Sequence, residues 1–123
     1  MKNVLLVDDD KICNFVSEKM LEMLGFEIDV RTALNGREAL TLLNDYSPDI
    51  ILLDLDMPIM NGFGFLEEFR NLDLPNKESV QIVIISSSDN PKDIANARRN
   101  GVDKYLVKPI EVASLRAALE FRQ

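Results

Sequence analysis

The stretch IILLDLDMPIMNG, residues 50–62, decides the fold. Four large aliphatic residues run without interruption into Asp54, a second carboxylate stands at Asp56, and Met-Pro and Asn-Gly follow. A short continuous apolar run is how a strand buried on both faces reads, whereas alternation marks a strand with one wet face. The continuous pattern recurs at VLLV (4–7), IVII (82–85) and YLV (105–107). FEIDVRT (26–32) alternates instead, with Glu27, Asp29 and Arg31 between its apolar positions, and so belongs at a sheet edge.

Helical patterns fill the gaps. KICNFVSEKMLEML (11–24) carries Ile12, Phe15, Val16, Met20, Met23 and Leu24 near a 3.6 period and stops at Gly25. GREALTLLND, NGFGFLEEFRNL, NPKDIANARRNG and EVASLRAALEFR supply the rest, and NPKDIANARRNG has Pro91 in its first turn and Gly101 beyond its end. Its apolar content is slight, Ile94 with two alanines, so this helix is expected to be loosely held. NLDLPNKESV (71–80) reads as a polar, solvated connection. Five strands alternating with five helices imply parallel strands joined by right-handed crossovers. The expected architecture is therefore α/β: a doubly wound five-stranded parallel sheet of order 2-1-3-4-5, flavodoxin-like, with its site at the carboxyl ends of the strands.

Composition narrows what that site does. A chain of 123 residues, 46% hydrophobic, suits one domain and one core. With 14 basic against 21 acidic residues the net charge is -7, which argues against direct nucleic-acid binding. The chain has one cysteine, Cys13, and no histidine, so an internal disulfide, a Cys/His zinc site and a Cys-His nucleophile pair are all excluded. The opening apolar run breaks at Asp8, too early for a signal peptide, and no run approaches membrane-spanning length. A cytoplasmic protein without membrane insertion is expected.

Each central strand ends in chemistry. Val7 is followed by Asp8, Asp9 and Asp10, Leu53 by Asp54, Ile85 by Ser86, and Val107 by Lys108 and Pro109. Asp10 and Asn90 are read as helix caps. The others would crowd carboxylates together, and two of them about 4 Å apart repel by roughly 4 kcal/mol at an effective dielectric of about 20. Lys108 and a divalent cation are the candidates that relieve this, and an oxygen-only ligand set suits Mg²⁺. A metal, an acid, a hydroxyl and a fixed cation suit phosphoryl transfer, with Asp54 at the centre of the sheet as the nucleophile.

With VLLVDDD, LLDLDMPIMNG, IVIIS and YLVKP in place at these spacings, the sequence resembles a response-regulator receiver domain of two-component signalling, over essentially all of residues 1–123. The resemblance implies that Asp54 is the phosphoacceptor and that Mg²⁺ is held by Asp8, Asp9, Asp54 and the backbone carbonyl of Asp56. Asp9 would bind the metal directly and Asp8 largely through water. Ser86 and Lys108 would contact phosphoryl oxygens, Tyr105 would turn inward as Ser86 moves, and the bond before Pro109 would be cis. The donor would be a sensor histidine kinase or a histidine phosphotransfer protein. The surface of residues 86–120 would then signal to an output protein, by a dimer formed on phosphorylation or by other contacts. Such a domain catalyses only its own phosphorylation and dephosphorylation, and no output domain is expected within this chain.

Departures from the family's commonest pattern are Ser86 in place of Thr, acidic Asp56 at a position that tunes phosphate loss together with Ser88, and Ile110 after the proline. Ile12 and Cys13 are candidates for kinase docking, with one of them expected to face the core. Two other readings compete with this one. Asp-x-Asp after a strand resembles the haloacid-dehalogenase phosphatases, with Asp54 as nucleophile and Asp56 as acid/base. That family needs a later acidic pair, for which only Glu111 and Glu120 remain. The other is a phosphorylation-silent, protein-binding receiver, which the full set of acids disfavours.

Overall fold

The continuous apolar runs feed two cores in alternation. In the structure, a computed structural model that describes residues 1–120, Leu5, Val7, Ile51, Leu53, Ile82 and Ile84 face one core. Val4, Leu6, Ile50, Leu52, Val83 and Ile85 face the other. Successive side chains of a strand point to opposite faces, so a strand covered on both sides must be apolar at every position.

The chain runs β1 (Lys2–Val7), α1 (Lys11–Met23), β2 (Ile28–Ala33), α2 (Gly36–Leu42), β3 (Ile50–Leu53), α3 (Gly62–Asn71), β4 (Gln81–Ser86), α4 (Pro91–Arg99), β5 (Lys104–Val107) and α5 (Val112–Glu120). All strands pair in parallel in the order β2-β1-β3-β4-β5. The flavodoxin-like expectation therefore holds. Residues of α2, α3 and α4 close the first core, and residues of α1 and α5 close the second. The EVASLRAALEFR pattern continues to Phe121 and Arg122, which lie outside the described residues.

Helix starts follow the capping chemistry. Asp10 accepts from the Ile12 amide, Asn61 from Gly64 and Asn90 from Lys92, and Pro91 occupies the first turn of α4. Gly25 and Gly101 take positive φ, 88° and 83°, just past the ends of α1 and α4. Ala97 is the buried residue of α4, in keeping with its thin apolar content.

Two expectations are corrected, and α1 shows an orientation that its pattern left open. The apolar stripe of α1 is split: Ile12, Phe15, Val16 and Met23 are exposed, Met20 and Leu24 pack against the second core, and Asn14, Ser17 and Leu21 are buried. Of the Ile12 and Cys13 pair, Cys13 is the half-buried one, and burial is the main cause of its raised thiol pKa. β5 is not buried on both faces; it is the sheet edge opposite β2, half-buried along its length with Val107 exposed. The 71–80 connection is not merely solvated, because Leu72, Leu74 and Val80 pack against the first core. There Lys77, in a 3-10 turn, donates to the carbonyls of Arg70 and Leu72 at 2.6 and 2.9 Å.

Candidate functional site

The functional side chains stand one residue past their strands, still held by the sheet's hydrogen bonds. Asp8 N–H donates to Ala33 O at 3.1 Å, Asp54 N–H to Val7 O at 2.9 Å and Lys108 N–H to Ser86 O at 2.8 Å. Residues that look like loop openings are thus fixed as firmly as strand residues. A cis bond between Lys108 and Pro109 follows directly. On the α1 side, Asn14 Nδ2 donates to Asp8 O at 3.0 Å. Asn14 and Ser17 also line a cavity of about 10 Å³ with Asp8 and Asp54. The polar face of α1 turns inward because the acids' backbone is there to be satisfied.

Carboxylate oxygens of Asp8, Asp9 and Asp54 lie within 4.8 Å of one another, Asp8 and Asp54 buried and Asp9 exposed. Lys108 Nζ is 2.8 Å from Asp8 Oδ2 and 3.9 Å from Asp54 Oδ1. Burial alone would lower the Lys108 pKa, but the hydrogen bond to Asp8 and the charges of Asp54 and Asp8 together raise it. Burial first, and then the Asp8 charge, push the Asp54 carboxyl up to about 6, against Lys108 and the amides of Leu55 and Asp56. One ammonium does not neutralise three carboxylates, and the donors are all oxygen. The set fits a magnesium ion, which would remove the remaining excess of negative charge.

Ser86 ends β4 at 1% exposure, and its Oγ accepts from Ser88 N–H at 3.1 Å. The Ser88 hydroxyl donates to Asp93 Oδ2 at 2.6 Å rather than serving the crevice, and the Tyr105 hydroxyl donates to Ser88 O at 2.8 Å. The Tyr105 ring packs against the first core. Asp56 is exposed and its carboxylate is not in the acidic group, so the paired-carboxylate chemistry of a dehalogenase-type phosphatase has no geometry here. Asn14 and Asp93 are site residues that sequence reasoning did not place, while Ser88, expected to act with Asp56, is bonded to Asp93 instead. The signal for Asn14 was a polar residue inside a helix, ambiguous until the helix's orientation is known.

Comparison with known proteins agrees with this geometry. The model of the family described as response regulator receiver domain matches residues 4–120. The nitrate/nitrite response regulator protein NarL of Escherichia coli is 35% identical over 116 residues, 94% of this chain and 52% of that protein. Among solved structures, chemotaxis response regulator CheY4 of Vibrio cholerae has a TM-score of 0.83 at 28% identity, covering 100% of this chain and 99% of that one. The receiver domain of sensor histidine kinase PA1611 from Pseudomonas aeruginosa has the same TM-score and identity, covering 98% of this chain and 96% of that one. That structure has a magnesium ion coordinated in its active-site cleft. The chain spans only about a third to a half of the length of the curated relatives it matches.

Proposed function

The chain belongs to the response regulator receiver domain family, phosphoacceptor signalling modules rather than enzymes acting on an external substrate, and we propose that Asp54 is its phosphoacceptor. The observation that carries this is the placement of Asp54: buried at the centre of the sheet, beside Asp8 and Asp9 and 3.9 Å from the Lys108 ammonium. A carboxylate oxygen of Asp54 attacks the phosphorus of a donor phosphohistidine. The new O–P bond forms as the P–N bond breaks, and the imidazole leaves to take up a proton. Lys108 is close enough to transfer its contact from Asp8 to a phosphoryl oxygen, and Ser86 offers a hydroxyl to another. Asp8, Asp9, Asp54 and the Asp56 carbonyl would hold Mg²⁺, which supplies charge neutralisation on the transferring oxygens when bound.

A receiver implies a cognate histidine kinase. The outward stripe of α1 supports one docking geometry, in which Ile12, Val16 and Met23 follow one another at the spacing of a helix-packing seam. Beside it, a cleft of about 360 Å³ is floored by Met20, Ile85 and Ile110 and reaches Lys108. A helical bundle carrying the phosphohistidine would lay one helix along this stripe, with Asp54 within reach. The face of residues 86–120 then reports to an output protein or a second receiver in the cytoplasm. Among the described residues no helix is long and apolar enough to cross a membrane.

The test is phosphorylation of the chain by acetyl phosphate with Mg²⁺. One hydroxylamine-sensitive phosphoryl group per chain is expected, lost in Asp54→Asn. Modification that survives Asp54→Asn, or none from either acetyl phosphate or a phosphohistidine protein, would overturn the assignment.

A further inference from the structure

The three polar groups of Ser88 are all engaged, and they join parts of the molecule that the phosphoacceptor reading leaves separate. Its N–H reaches the Ser86 hydroxyl at 3.1 Å and its carbonyl receives the Tyr105 hydroxyl at 2.8 Å. Its own hydroxyl donates to Asp93 Oδ2 at 2.6 Å while accepting from Asn90 N–H at 3.2 Å. Asp93 is a first-turn residue of α4, half-buried, and a hydrogen bond this short to a charged acceptor is of the stronger kind. We propose that Asp93 is a positioning residue for the Asp54 site. By gripping the Ser88 hydroxyl it fixes the turn between β4 and α4, and with it the placement of the Ser86 hydroxyl and the Tyr105 ring. This rests on the receiver reading, in which Ser86 must leave Ser88 N–H to meet a phosphoryl oxygen.

A serine in a turn has a free χ1 and a carbonyl that can rotate. With the hydroxyl anchored to α4, the carbonyl of Ser88 presents one direction, and the Tyr105 hydroxyl finds its acceptor only there. When Ser86 turns away, the Ser88 amide loses its acceptor, and the remaining bonds decide where the turn goes. The bond to Asp93 makes that movement pull on the first turn of α4. Without it, the turn would move independently of the helix and Tyr105 would sample more than one orientation.

The chain's tyrosines are two, Tyr46 and Tyr105. Tyr46 is bonded to the carbonyls of Asp29 and Val4, so ring-labelled tyrosine gives one reporter of the turn and one of the intact fold. Proton-carbon spectra would be recorded on the full chain for wild type, Asp93→Ala, Asp93→Asn, Ser88→Ala and the Ser88→Ala/Asp93→Ala double variant, with no phosphoryl donor present. In Asp93→Ala the Tyr105 signal is expected to shift or broaden while Tyr46 stays unchanged, and Asp93→Asn, which keeps an acceptor oxygen, restores it. With acetyl phosphate and Mg²⁺, Asp93→Ala is expected to change the rate of Asp54 phosphorylation about fivefold, the equivalent of one net hydrogen bond of about 1 kcal/mol. The double variant should be no worse than either single one. A wild-type Tyr105 signal in Asp93→Ala overturns the proposal, as do additive effects in the double variant. Absence of phosphorylation in wild type would instead count against Asp54 as acceptor, while the donor-free spectra still decide the role of Asp93.

Discussion

At the scale of single residues, the loop after Asp54 carries two backbone demands that the sequence answers in opposite ways. Gly62 meets its demand: a Cβ there would lie 2.5 Å from the Asp54 carbonyl oxygen and 2.9 Å from Leu55 Cα. Ile59 does not, for it is a β-branched residue held at φ 69° and 83% exposed. The Met60 amide donating to Pro58 O at 2.7 Å closes a tight three-residue turn around it. The left-handed region costs an L-residue on the order of 1–2 kcal/mol. Ile59→Gly is therefore expected to stabilise the domain by up to about 1 kcal/mol, part of the relief being offset by the freer unfolded chain. Gly62→Ala should cost about 1–3 kcal/mol by overpacking against the acceptor's own backbone. Urea midpoints measure both. A stabilising Gly62→Ala would show that the loop yields, and that Asp54 is held less rigidly than its sheet bond to Val7 implies.

Among the elements, α1 is the one whose behaviour departs furthest from its pattern. Periodicity gave it an apolar stripe but not a direction, and most of that stripe, Ile12, Phe15, Val16 and Met23, is exposed while Leu21 alone of its large apolar residues is fully buried. An Ile12→Ser/Phe15→Ser variant is thus expected to change stability by no more than about 0.5 kcal/mol. Leu21→Ala should lose about 2–5 kcal/mol. Phosphorylation of the Ser variant by acetyl phosphate should be unchanged, but transfer from a phosphohistidine protein should slow at least about tenfold if a partner helix lies on the stripe. Equal rates from both donors would remove α1 from the docking surface. The strands were legible because double-sided burial writes itself into every position, and the acids and Lys108 because each directly follows such a run. What stayed hidden needed geometry. The half-buried edge of β5 depended on its neighbours, the 71–80 connection packs through leucines scattered among polar residues, and the Ser88 to Asp93 bond joins residues with no pattern between them.

Over the whole molecule, the site is a liability of the unliganded fold. Asp54 sits 6% exposed with its carboxyl pushed up to about 6 from 3.8, so the folded chain holds that proton more tightly than the unfolded chain does. By linkage, stability falls as pH rises between about 4 and 6, and the loss is complete above the folded value. At 1.36 kcal/mol per unit, the ceiling on this loss is about 3 kcal/mol. Without divalent metal at pH 7, Asp54→Asn should then be more stable than wild type by about 1–3 kcal/mol, with the gap closing toward pH 4, where wild type is also neutral at this position. Adding Mg²⁺ should stabilise wild type by mass action and the Asn variant less, because one of its three clustered carboxylates is gone. Thermal unfolding across pH 4 to 8, with Mg²⁺ or with chelator, reads all of this in one set of curves. An Asn variant no more stable than wild type at neutral pH would mean that Lys108 already balances the cluster. A gap that widened as pH fell would contradict the raised Asp54 pKa itself. The expected pattern ties the two halves of the fold's logic together: the double-sided core offsets the cost of burying Asp8 and Asp54 at the ends of two adjacent strands, and a bound cation or phosphoryl group returns part of that energy as a signal.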